Sequence, residues 1–345
     1  MKQGLLIEPR QLEVREVPVP TPEPGELIAR VDLALTCGTD LKTFRRGHPL
    51  FPCPTPMGHE FTGTVARVGA GVSRFREGDP IVSVPSAPCG ACPPCLRGDE
   101  SYCDRIDGST MAWGAFADYI RIPAHVVARN VFHRPRGLAL ERAALLEPLS
   151  CVVAGVERLD LTRTDTAVVL GAGPMGLLFV SLLKLRGVPQ VVVIGKRQHR
   201  LDSARAMGAD HVFDLEQVST ADAIASVAPR GACTIVECVG RPEAWLQAID
   251  GVRKGGEVLF YGGCAAGTTV PLDARRIHYD GLTLKGIFHF TPTDVRVAFD
   301  LIKSGRLPVE SLFSDSYPLE ALGEAFARLE GGDCLKLSIR PGGGA

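Results

Sequence analysis

The sequence lacks any long apolar run, any block of positive charge and any signal-peptide core. A membrane-spanning helix needs about 20 consecutive apolar residues, and no stretch approaches that length. The formal net charge is −1 over 345 residues, so the chain lacks the excess of positive charge that is typical of a nucleic-acid-binding protein. The start of the chain, MKQGLLIE, reads as a strand rather than a secretion signal. These absences favour a globular protein whose partner is neither a membrane nor a nucleic acid.

An even set of cysteines, typical of a disulfide framework, is also missing. The chain has 11 cysteines, and Cys233, Cys238 and Cys264 each stand alone in apolar segments. Unpaired thiols of this kind are typical of a reducing compartment, so we expect a cytoplasmic protein.

Four of the cysteines form a compact motif. Cys89, Cys92, Cys95 and Cys103 follow the pattern C-x2-C-x2-C-x7-C, and this spacing lets four thiolates surround one tetrahedral zinc ion. The intervening residues are mostly Gly, Pro and charged, so a metal would have to supply the folding energy of this lobe. We predict a structural zinc site; a disulfide pair or free thiols are the alternatives.

The texture of the chain changes once. Residues 1–145 contain short β-type segments bounded by Pro and Gly, which indicate a β-rich domain. From residue 146 to about 285, apolar strands alternate with helical stretches, which predicts parallel βαβ units and an α/β, doubly wound sheet. A helix and an apolar strand in 286–345 are expected to return to the first domain. Glu257–Tyr261 is expected near the end of the sheet, where it could pair with a partner subunit.

A glycine turn in the second domain predicts dinucleotide binding. Gly171-Ala172-Gly173-Pro174-Met175-Gly176 fits G-x-G-x-x-G and lies between a predicted strand, Thr166–Leu170, and a predicted helix, Met175–Arg186. Gly171 permits the tight turn, Gly173 lets the backbone approach a pyrophosphate, and Gly176 allows close packing of helix on strand. The start of the helix offers free N–H groups to the phosphates. A purely structural turn is the alternative.

The residues after the next strand favour NADP(H) over NAD(H). NAD sites usually place an acidic residue there for the ribose 2′-hydroxyl. This chain has Gly195 at that place, followed by the cations Lys196, Arg197 and Arg200. Lysine and arginine would form charge-assisted hydrogen bonds with a 2′-phosphate. The alternative is a solvated loop whose charges contact no ligand.

Three further residues suggest a second metal site. Cys37, His59 and Glu147 offer a sulfur, an imidazole nitrogen and a carboxylate oxygen. Three protein ligands and one open position are the composition of a catalytic zinc site. Each residue has an ordinary alternative when taken alone: a small buried residue, a core imidazole and an acid at the start of a helix.

With these motifs in view, the chain resembles the zinc-dependent medium-chain dehydrogenases/reductases, in the branch of polyol (sorbitol-type) and threonine dehydrogenases. The resemblance covers essentially the whole length, and it is carried by Cys37-Gly38-Thr39-Asp40, Gly58-His59-Glu60, the four cysteines, Glu147-Pro148-Leu149-Ser150 and the glycine turn. It implies a GroES-like catalytic domain of residues 1–145 and 286–345, with the structural zinc lobe at 89–103. It also implies a Rossmann coenzyme domain of residues 146–285.

The resemblance also implies roles for individual residues. Cys37, His59 and Glu147 would bind the catalytic zinc, with Glu60 as an alternating ligand. Thr39 would pass on the proton of the substrate, and Asp40 would orient the imidazole ligand. The implied reaction is hydride transfer between NADP(H) and a secondary alcohol or polyol, or the corresponding ketone, with two zinc ions per chain.

Two positions depart from the family pattern. Relatives often have a histidine where this chain has Lys42, so the proton relay would run through Lys42, the ribose hydroxyls or water. Sorbitol-type enzymes often have Phe-Arg-Tyr near the nicotinamide, whereas this chain has Phe288-His289-Phe290. Without the arginine, we expect a smaller or less polar substrate than a polyol, with Phe288 beside the cofactor and His289 available to a hydroxyl.

Two other functions stay open at this stage. A threonine- or amino-alcohol-type dehydrogenase shares every zinc motif, and Arg45 or Arg46 could bind the carboxylate of threonine. A non-catalytic dinucleotide-binding protein is the more remote alternative, because such lineages commonly lose the zinc ligands that this chain keeps. The family also suggests a homodimer or homotetramer.

Overall fold

The structure is a computed structural model, and it describes residues 1–106 and 110–342. The strands, in chain order, are β1 Lys2–Glu8, β2 Gln11–Glu16, β3 Leu27–Leu35, β4 Thr55–Pro56, β5 Glu60–Val68, β6 Pro80–Ser83, β7 Tyr119–Ile122, β8 Val131–His133, β9 Thr166–Leu170, β10 Gln190–Gly195, β11 His211–Asp214, β12 Ala232–Glu237, β13 Val252–Phe260, β14 Thr283–Gly286, β15 Phe313–Pro318 and β16 Lys336–Arg340. The α-helices are α1 Gly38–Arg46, α2 Pro93–Leu96, α3 Ala124–Asn130, α4 Leu140–Ala144, α5 Leu146–Val156, α6 Pro174–Leu185, α7 Gln198–Ala206, α8 Thr220–Val227, α9 Pro242–Gly251, α10 Ala274–Tyr279, α11 Pro292–Ser304 and α12 Leu322–Gly331.

The chain forms two compact units. The first contains Met1–Ser150, Phe290–Ser304 and the chain from Phe313 onward, and the second contains Cys151–His289 and Gly305–Leu312. The predicted boundaries at 145 and 285 lie a few residues before those of the structure.

The predicted division differs from the structure at Gly305–Leu312, which it assigned to the first domain. In the structure this segment belongs to the second unit. Its backbone is bonded there, because the hydroxyl of Ser203 on α7 donates to the carbonyl oxygen of Ser311 at 3.3 Å. A contact between residues so far apart in sequence has no local signal.

The first unit is built on a seven-stranded sheet in the order β15-β16-β3-β5-β6-β8, with β7 also paired to β3. Most residues of β3 are apolar and are buried on both faces of the strand. β3 pairs antiparallel with β5 along nearly its whole length. On its other side β3 pairs with β16, so that Ser338 lies opposite Leu35. This register brings the end of the chain beside the loop that follows β3.

A separate small sheet, in the order β2-β1-β4, belongs to the same unit. Its buried residues join the apolar core below the large sheet, where Phe61, Phe116 and Phe326 are fully buried. Phe326 comes from α12, which packs its apolar side against this core.

The second unit is a six-stranded parallel sheet in the order β11-β10-β9-β12-β13-β14. Strands β9, β10 and β12 are almost wholly buried, as expected of a parallel sheet covered by helices on both faces. The strand order reverses between β9 and β12, which is where such sheets bind dinucleotides. Glu257–Tyr261 lies near the end of the sheet, as expected, but it is not free to pair with a partner subunit, because β13 pairs with β12 and β14 and leaves β14 outermost.

Within the described part of the chain, no helix combines the length and the apolar character needed to cross a membrane.

Candidate metal centres and dinucleotide-binding turn

Cys37 lies where the chain turns from β3 into α1. It is the N-cap residue of α1, and its sulfur accepts the backbone N–H of Thr39 at 3.5 Å. The carboxylate of Asp40 in turn accepts the backbone N–H of Cys37 at 2.9 Å. These reciprocal bonds satisfy donors that a helix start leaves open, and they fix the direction of the Cys37 side chain.

His59 and Glu60 reach the same place from β5. Glu60 is the first residue of β5 and pairs with Leu35, two residues before Cys37. The ligand atoms of Cys37, His59 and Glu60 all lie within 4.8 Å of one another. Antiparallel pairing of β3 with β5 is therefore what brings these three residues together.

Gly58 is needed for this approach. Its φ of +93° is in the left-handed region, where glycine carries no steric penalty. A Cβ at this position would lie 2.8 Å from the backbone nitrogen of Phe116. A larger residue would displace His59 from the cluster.

The cluster fits a metal ion on the chemistry of its donors. His59 Nδ1 lies 3.3 Å from Asp40 Oδ1, and within the described residues neither atom forms a well-aligned hydrogen bond with any other group. Burial raises the pKa of the Cys37 thiol, and the charge of Glu60 adds to this effect. Burial would lower the pKa of His59, but Asp40 and Cys37 outweigh it and hold the pKa well above its ordinary value. A cation at this point would stabilise the thiolate and the neutral imidazole, as zinc sites require.

Glu60 is the acid of the cluster, and its side chain is fully buried. Burial raises its pKa to about 7, which Lys336 opposes and the charge of Glu147 reinforces. Its Oε1 has no hydrogen-bond partner among the residues that the structure describes. An unpartnered, buried carboxylate oxygen is suited to a metal ion.

Glu147 was predicted as the third ligand. It lies in the first turn of α5 and is 8% exposed. It is close enough to raise the pKa of Glu60, but it is not one of the three residues whose ligand atoms converge within 4.8 Å. The structure thus gathers Cys37, His59 and Glu60 tightly and places Glu147 near them.

Lys336 is a residue of this site that sequence reasoning missed. Its amino group donates to Glu60 Oε2 at 2.5 Å and to the carbonyl oxygen of Thr36 at 3.2 Å. Its side chain is 1% exposed. Burial would lower its pKa, but Glu60 outweighs this effect and raises it. A single lysine inside the apolar run Cys334–Ile339 was the available signal.

Thr39 and Lys42 lie on the exposed side of α1. They are three residues apart, so they are neighbours on one helix face. Both were predicted near a proton relay, and the structure leaves both side chains open to solvent.

The four remaining predicted ligands form a second cluster. Cys89, Cys92, Cys95 and Cys103 converge, with sulfur–sulfur distances of 4.0 Å for Cys89–Cys95, 3.4 Å for Cys92–Cys95 and 3.7 Å for Cys92–Cys103. A tetrahedral zinc with bonds of about 2.3 Å separates its sulfurs by about 3.8 Å. A disulfide would need about 2.05 Å. The spacing therefore fits one zinc ion and excludes disulfides among these pairs.

Backbone N–H groups also point at these sulfurs. Cys89 Sγ accepts from Ala91 at 3.4 Å and from Cys92 at 3.3 Å, and Cys103 Sγ accepts from Arg105 at 3.4 Å. The bonds from Ala91 and Cys92 lower the pKa of Cys89 to about 6, whereas burial and the neighbouring thiols raise the pKa of Cys95 to about 12. Cys89 therefore favours the thiolate, which is the form that binds zinc, and Cys95 would need the positive charge of a metal ion to reach it.

The glycine turn has the geometry that its motif predicts. Gly171 has φ +107°, and a Cβ on Gly176 would lie 2.0 Å from the carbonyl oxygen of Gly171. Gly173 is the N-cap of α6, and Pro174 occupies the first turn with Met175 after it. A Cβ on Gly173 would meet nothing within 4 Å, so the backbone there is open to a ligand.

Gly195, at the end of β10, has no room for a side chain. A Cβ there would lie 2.7 Å from the Cβ of Ala172 and 3.0 Å from its nitrogen. Lys196 and Arg197 follow with exposed side chains, and Arg197 has a positive φ of 72°. Arg200 lies in the first turn of α7 and is half-buried.

Phe288 and His289 follow β14 in the second unit. Phe288 is 58% exposed, and His289 has φ +62°. The two rings lie 5.7 Å apart. The side chain of Phe288 is thus open to solvent beside the parallel sheet, as a ring that contacts a cofactor requires.

Comparison with known proteins places the chain in a family. The Alcohol dehydrogenase GroES-like domain family matches residues 23–131, and the Zinc-binding dehydrogenase family matches residues 174–304. The two parts of the chain thus match families of zinc-binding alcohol dehydrogenases. This assignment confirms the resemblance and the fold class that were predicted from the sequence.

Relatives of this zinc-binding dehydrogenase act on polyols and on threonine. Sorbitol dehydrogenase of Bacillus subtilis (strain 168) is 29% identical, over 99% of this chain and 97% of its own length. L-threonine 3-dehydrogenase of Bacillus licheniformis is also 29% identical, over 94% of each chain. A protein from Sinorhizobium meliloti 1021, assigned as a zinc-binding dehydrogenase and bound to NADP, matches with a TM-score of 0.90 and 28% identity over 99% of both chains. The chain is thus similar over its full length to oxidoreductases of alcohols.

Proposed function

We propose that this dehydrogenase transfers a hydride between NADP(H) and a secondary alcohol or polyol, or the corresponding ketone. The observation that carries the proposal is the convergence of Cys37, His59 and Glu60 within 4.8 Å, in a chain that also has a dinucleotide-binding turn. Sulfur, nitrogen and oxygen donors together are the ligand set of a catalytic zinc site.

Cys37, His59 and a carboxylate from Glu60 or Glu147 would hold this zinc. When bound, zinc supplies Lewis-acid chemistry, which stabilises negative charge on the substrate oxygen. Asp40 faces His59 Nδ1 at 3.3 Å, which leaves Nε2 as the ligand atom of the ring. A carboxylate behind a ligand imidazole fixes its tautomer and its orientation.

Thr39 is the residue that would move the proton. Its hydroxyl would accept the proton of the substrate hydroxyl and release its own. The Thr39 side chain is exposed and lies in the first turn of α1, two residues after Cys37. Lys42 lies one turn further along the same face. The relay therefore continues to Lys42, to the ribose hydroxyls of the cofactor or directly to water.

NADP(H) is the preferred cofactor on the residues after β10. The close packing around Gly195 leaves no room for an acidic side chain. A carboxylate at this position would bind a ribose 2′-hydroxyl and repel a 2′-phosphate. Lys196, Arg197 and Arg200 provide three cations close in sequence. The NADP-bound protein from Sinorhizobium meliloti 1021 shares the fold and supports this choice.

The four-cysteine lobe would hold a second, structural zinc. Its sulfur spacing and its N–H donors support the site. Four protein ligands leave no open position, so the role of this ion is to hold the lobe together. We therefore expect two zinc ions per chain.

A secondary alcohol or polyol is favoured over threonine. Arg45, one of two candidates for a substrate carboxylate, forms an ion pair with Glu330 at 2.9 Å. Only Arg46 would be left for this role, at the exposed C-terminal end of α1. A substrate without a carboxylate needs neither arginine.

We further infer a homodimer or homotetramer, which light scattering would test.

A substrate panel with both cofactors tests the proposal. The zinc-loaded protein is assayed for oxidation of sorbitol, 2,3-butanediol and threonine, each with NADP and with NAD. The C37A variant is the matched control. We expect turnover of a secondary alcohol with a higher kcat/KM for NADP and no turnover by C37A. Wild-type activity in C37A would refute the zinc assignment, and an equal or higher kcat/KM with NAD would refute the cofactor preference.

A further inference from the structure

Trp113 stacks on the imidazole ring of His59. The two rings are almost parallel, with an interplanar angle of 4° and centroids 4.9 Å apart. Phe51 also lies parallel to the indole, at 6° and 4.0 Å. A candidate metal ligand is therefore in contact with an aromatic assembly that neither the metal motifs nor the proposed reaction explains.

The indole itself is firmly held. Its Nε1–H donates to the carbonyl oxygen of Pro56 at 2.6 Å, and Phe51 is 7% exposed. The next residue, Gly114, donates its N–H to the carbonyl oxygen of Gly58 at 2.9 Å. These bonds connect the Trp113 segment to the residues on both sides of Met57, directly before His59.

The contact of His59 with Asp40 restrains only one edge of the imidazole ring. Asp40 lies 3.3 Å from Nδ1, and a ring that is held at one atom can still tilt about that contact. A parallel aromatic face removes this freedom, because tilting would lose the contact between the two rings. Stacked aromatic pairs contribute more than the burial of their area alone.

We propose that Trp113 is a positioning residue for His59 and fixes the plane of the imidazole that binds the catalytic metal. Because the inference concerns the metal site, it rests on the zinc part of the proposed function, but not on the substrate or the cofactor. Trp113 contacts neither reacting atoms nor the metal in this role. Its effect is on the affinity and the coordination geometry of the site.

Tryptophan fluorescence gives a direct readout. The chain has two tryptophans, and the other, Trp245 on α9, stacks on Phe260 in the second unit at 4.0 Å. Protein is depleted of metal with a chelator and titrated with Co²⁺, whose visible absorption reports its ligand geometry and whose binding quenches nearby indoles. The C37S variant measures the contribution of the four-cysteine site, because it lacks a ligand only at the other site.

We expect Co²⁺ to quench the emission of wild type and of W245F, but not that of W113L. We also expect W113L to bind Co²⁺ at the Cys37 site about 2- to 10-fold more weakly and with a shifted visible spectrum. W113F keeps an aromatic face and loses only the Nε1 hydrogen bond, so its affinity for Co²⁺ should lie between those of wild type and W113L. It also serves as the test variant if W113L does not fold.

Wild-type affinity and an unchanged visible spectrum in W113L, or in W113F if W113L does not fold, would overturn the proposal. So would a quench that survives in W113L and disappears in W245F. Failure of the proposed reaction is separable from these outcomes. A protein that binds Co²⁺ in a Trp113-dependent manner but oxidises no alcohol would disprove the function and support the positioning role.

Discussion

Removing the amino group of Lys336 should destabilise the first unit strongly. Lys336 and Glu60 form an ion pair at 2.5 Å with side chains 1% and 0% exposed. The K336M variant keeps most of the volume of the side chain but leaves the buried carboxyl group of Glu60 without its cation, so that Glu60 must either stay charged without a partner or take up a proton. Loss of one partner of a buried pair costs about 3–5 kcal/mol.

This cost converts into a large change in melting temperature. For a unit of this size, each kcal/mol shifts the melting temperature by about 2–4 °C, so K336M should melt roughly 6–20 °C lower. The assay is thermal unfolding by circular dichroism on metal-depleted protein, because a bound cation would offset part of the loss. Zinc should therefore reduce the difference in melting temperature between K336M and wild type.

Two variants make the result interpretable. E60Q/K336M removes both charges and should recover most of the lost stability, since it is the unpaired charge that is costly. K303M breaks the exposed pair of Lys303 with Asp300, which should cost at most about 1 kcal/mol. If K336M melted within 2 °C of wild type, or if the double variant were no better, the buried-pair argument would be refuted.

Three further predictions concern the other sites. Replacing Lys196 and Arg197 together by alanine should raise KM for NADP about 10- to 100-fold through lost charge-assisted bonds and leave KM for NAD unchanged. Steady-state kinetics with both cofactors measure the two KM values, and an equal rise in both would contradict binding of the 2′-phosphate by these residues. C103S should lose one zinc per chain by metal analysis and melt earlier, and retention of both ions would contradict the structural site. E237M, which keeps the length of the side chain but has no oxygen to accept these bonds, should destabilise the second unit by about 1–3 kcal/mol in urea unfolding, because Glu237 is fully buried and accepts two backbone N–H groups at 2.6 and 2.8 Å; unchanged stability would show that these bonds contribute nothing.

Much of the fold could be predicted because its signals are local. The apolar run Thr166–Leu170 and the glycine turn after it predicted β9 and the start of α6 with almost no error. The short β-type segments predicted in residues 1–145 are also present, for example β5 at Glu60–Val68. The convergence of the four cysteines could likewise be predicted, because their spacing alone lets them surround one ion.

The parts that sequence reasoning missed depend on long-range contacts. Lys336 reaches Glu60 only because β16 pairs with β3, and Trp113 reaches His59 only through hydrogen bonds to the segment before β5. Neither residue belongs to a motif. Glu60 was expected as an alternating ligand and Glu147 as a fixed one, whereas the structure draws Glu60 into the cluster, because it begins a strand paired with β3.

A crystal structure of the zinc-loaded protein, with anomalous data collected at the zinc absorption edge, tests the central claim most directly. The account predicts one anomalous peak about 2.3 Å from Cys37 Sγ and about 2.0–2.1 Å from a ring nitrogen of His59, with a carboxylate oxygen of Glu60 or Glu147 completing the protein ligands. A second peak should lie among the four cysteines. If the only zinc ion were in the cysteine lobe, with Cys37 and His59 binding no metal, the proposed mechanism would be contradicted.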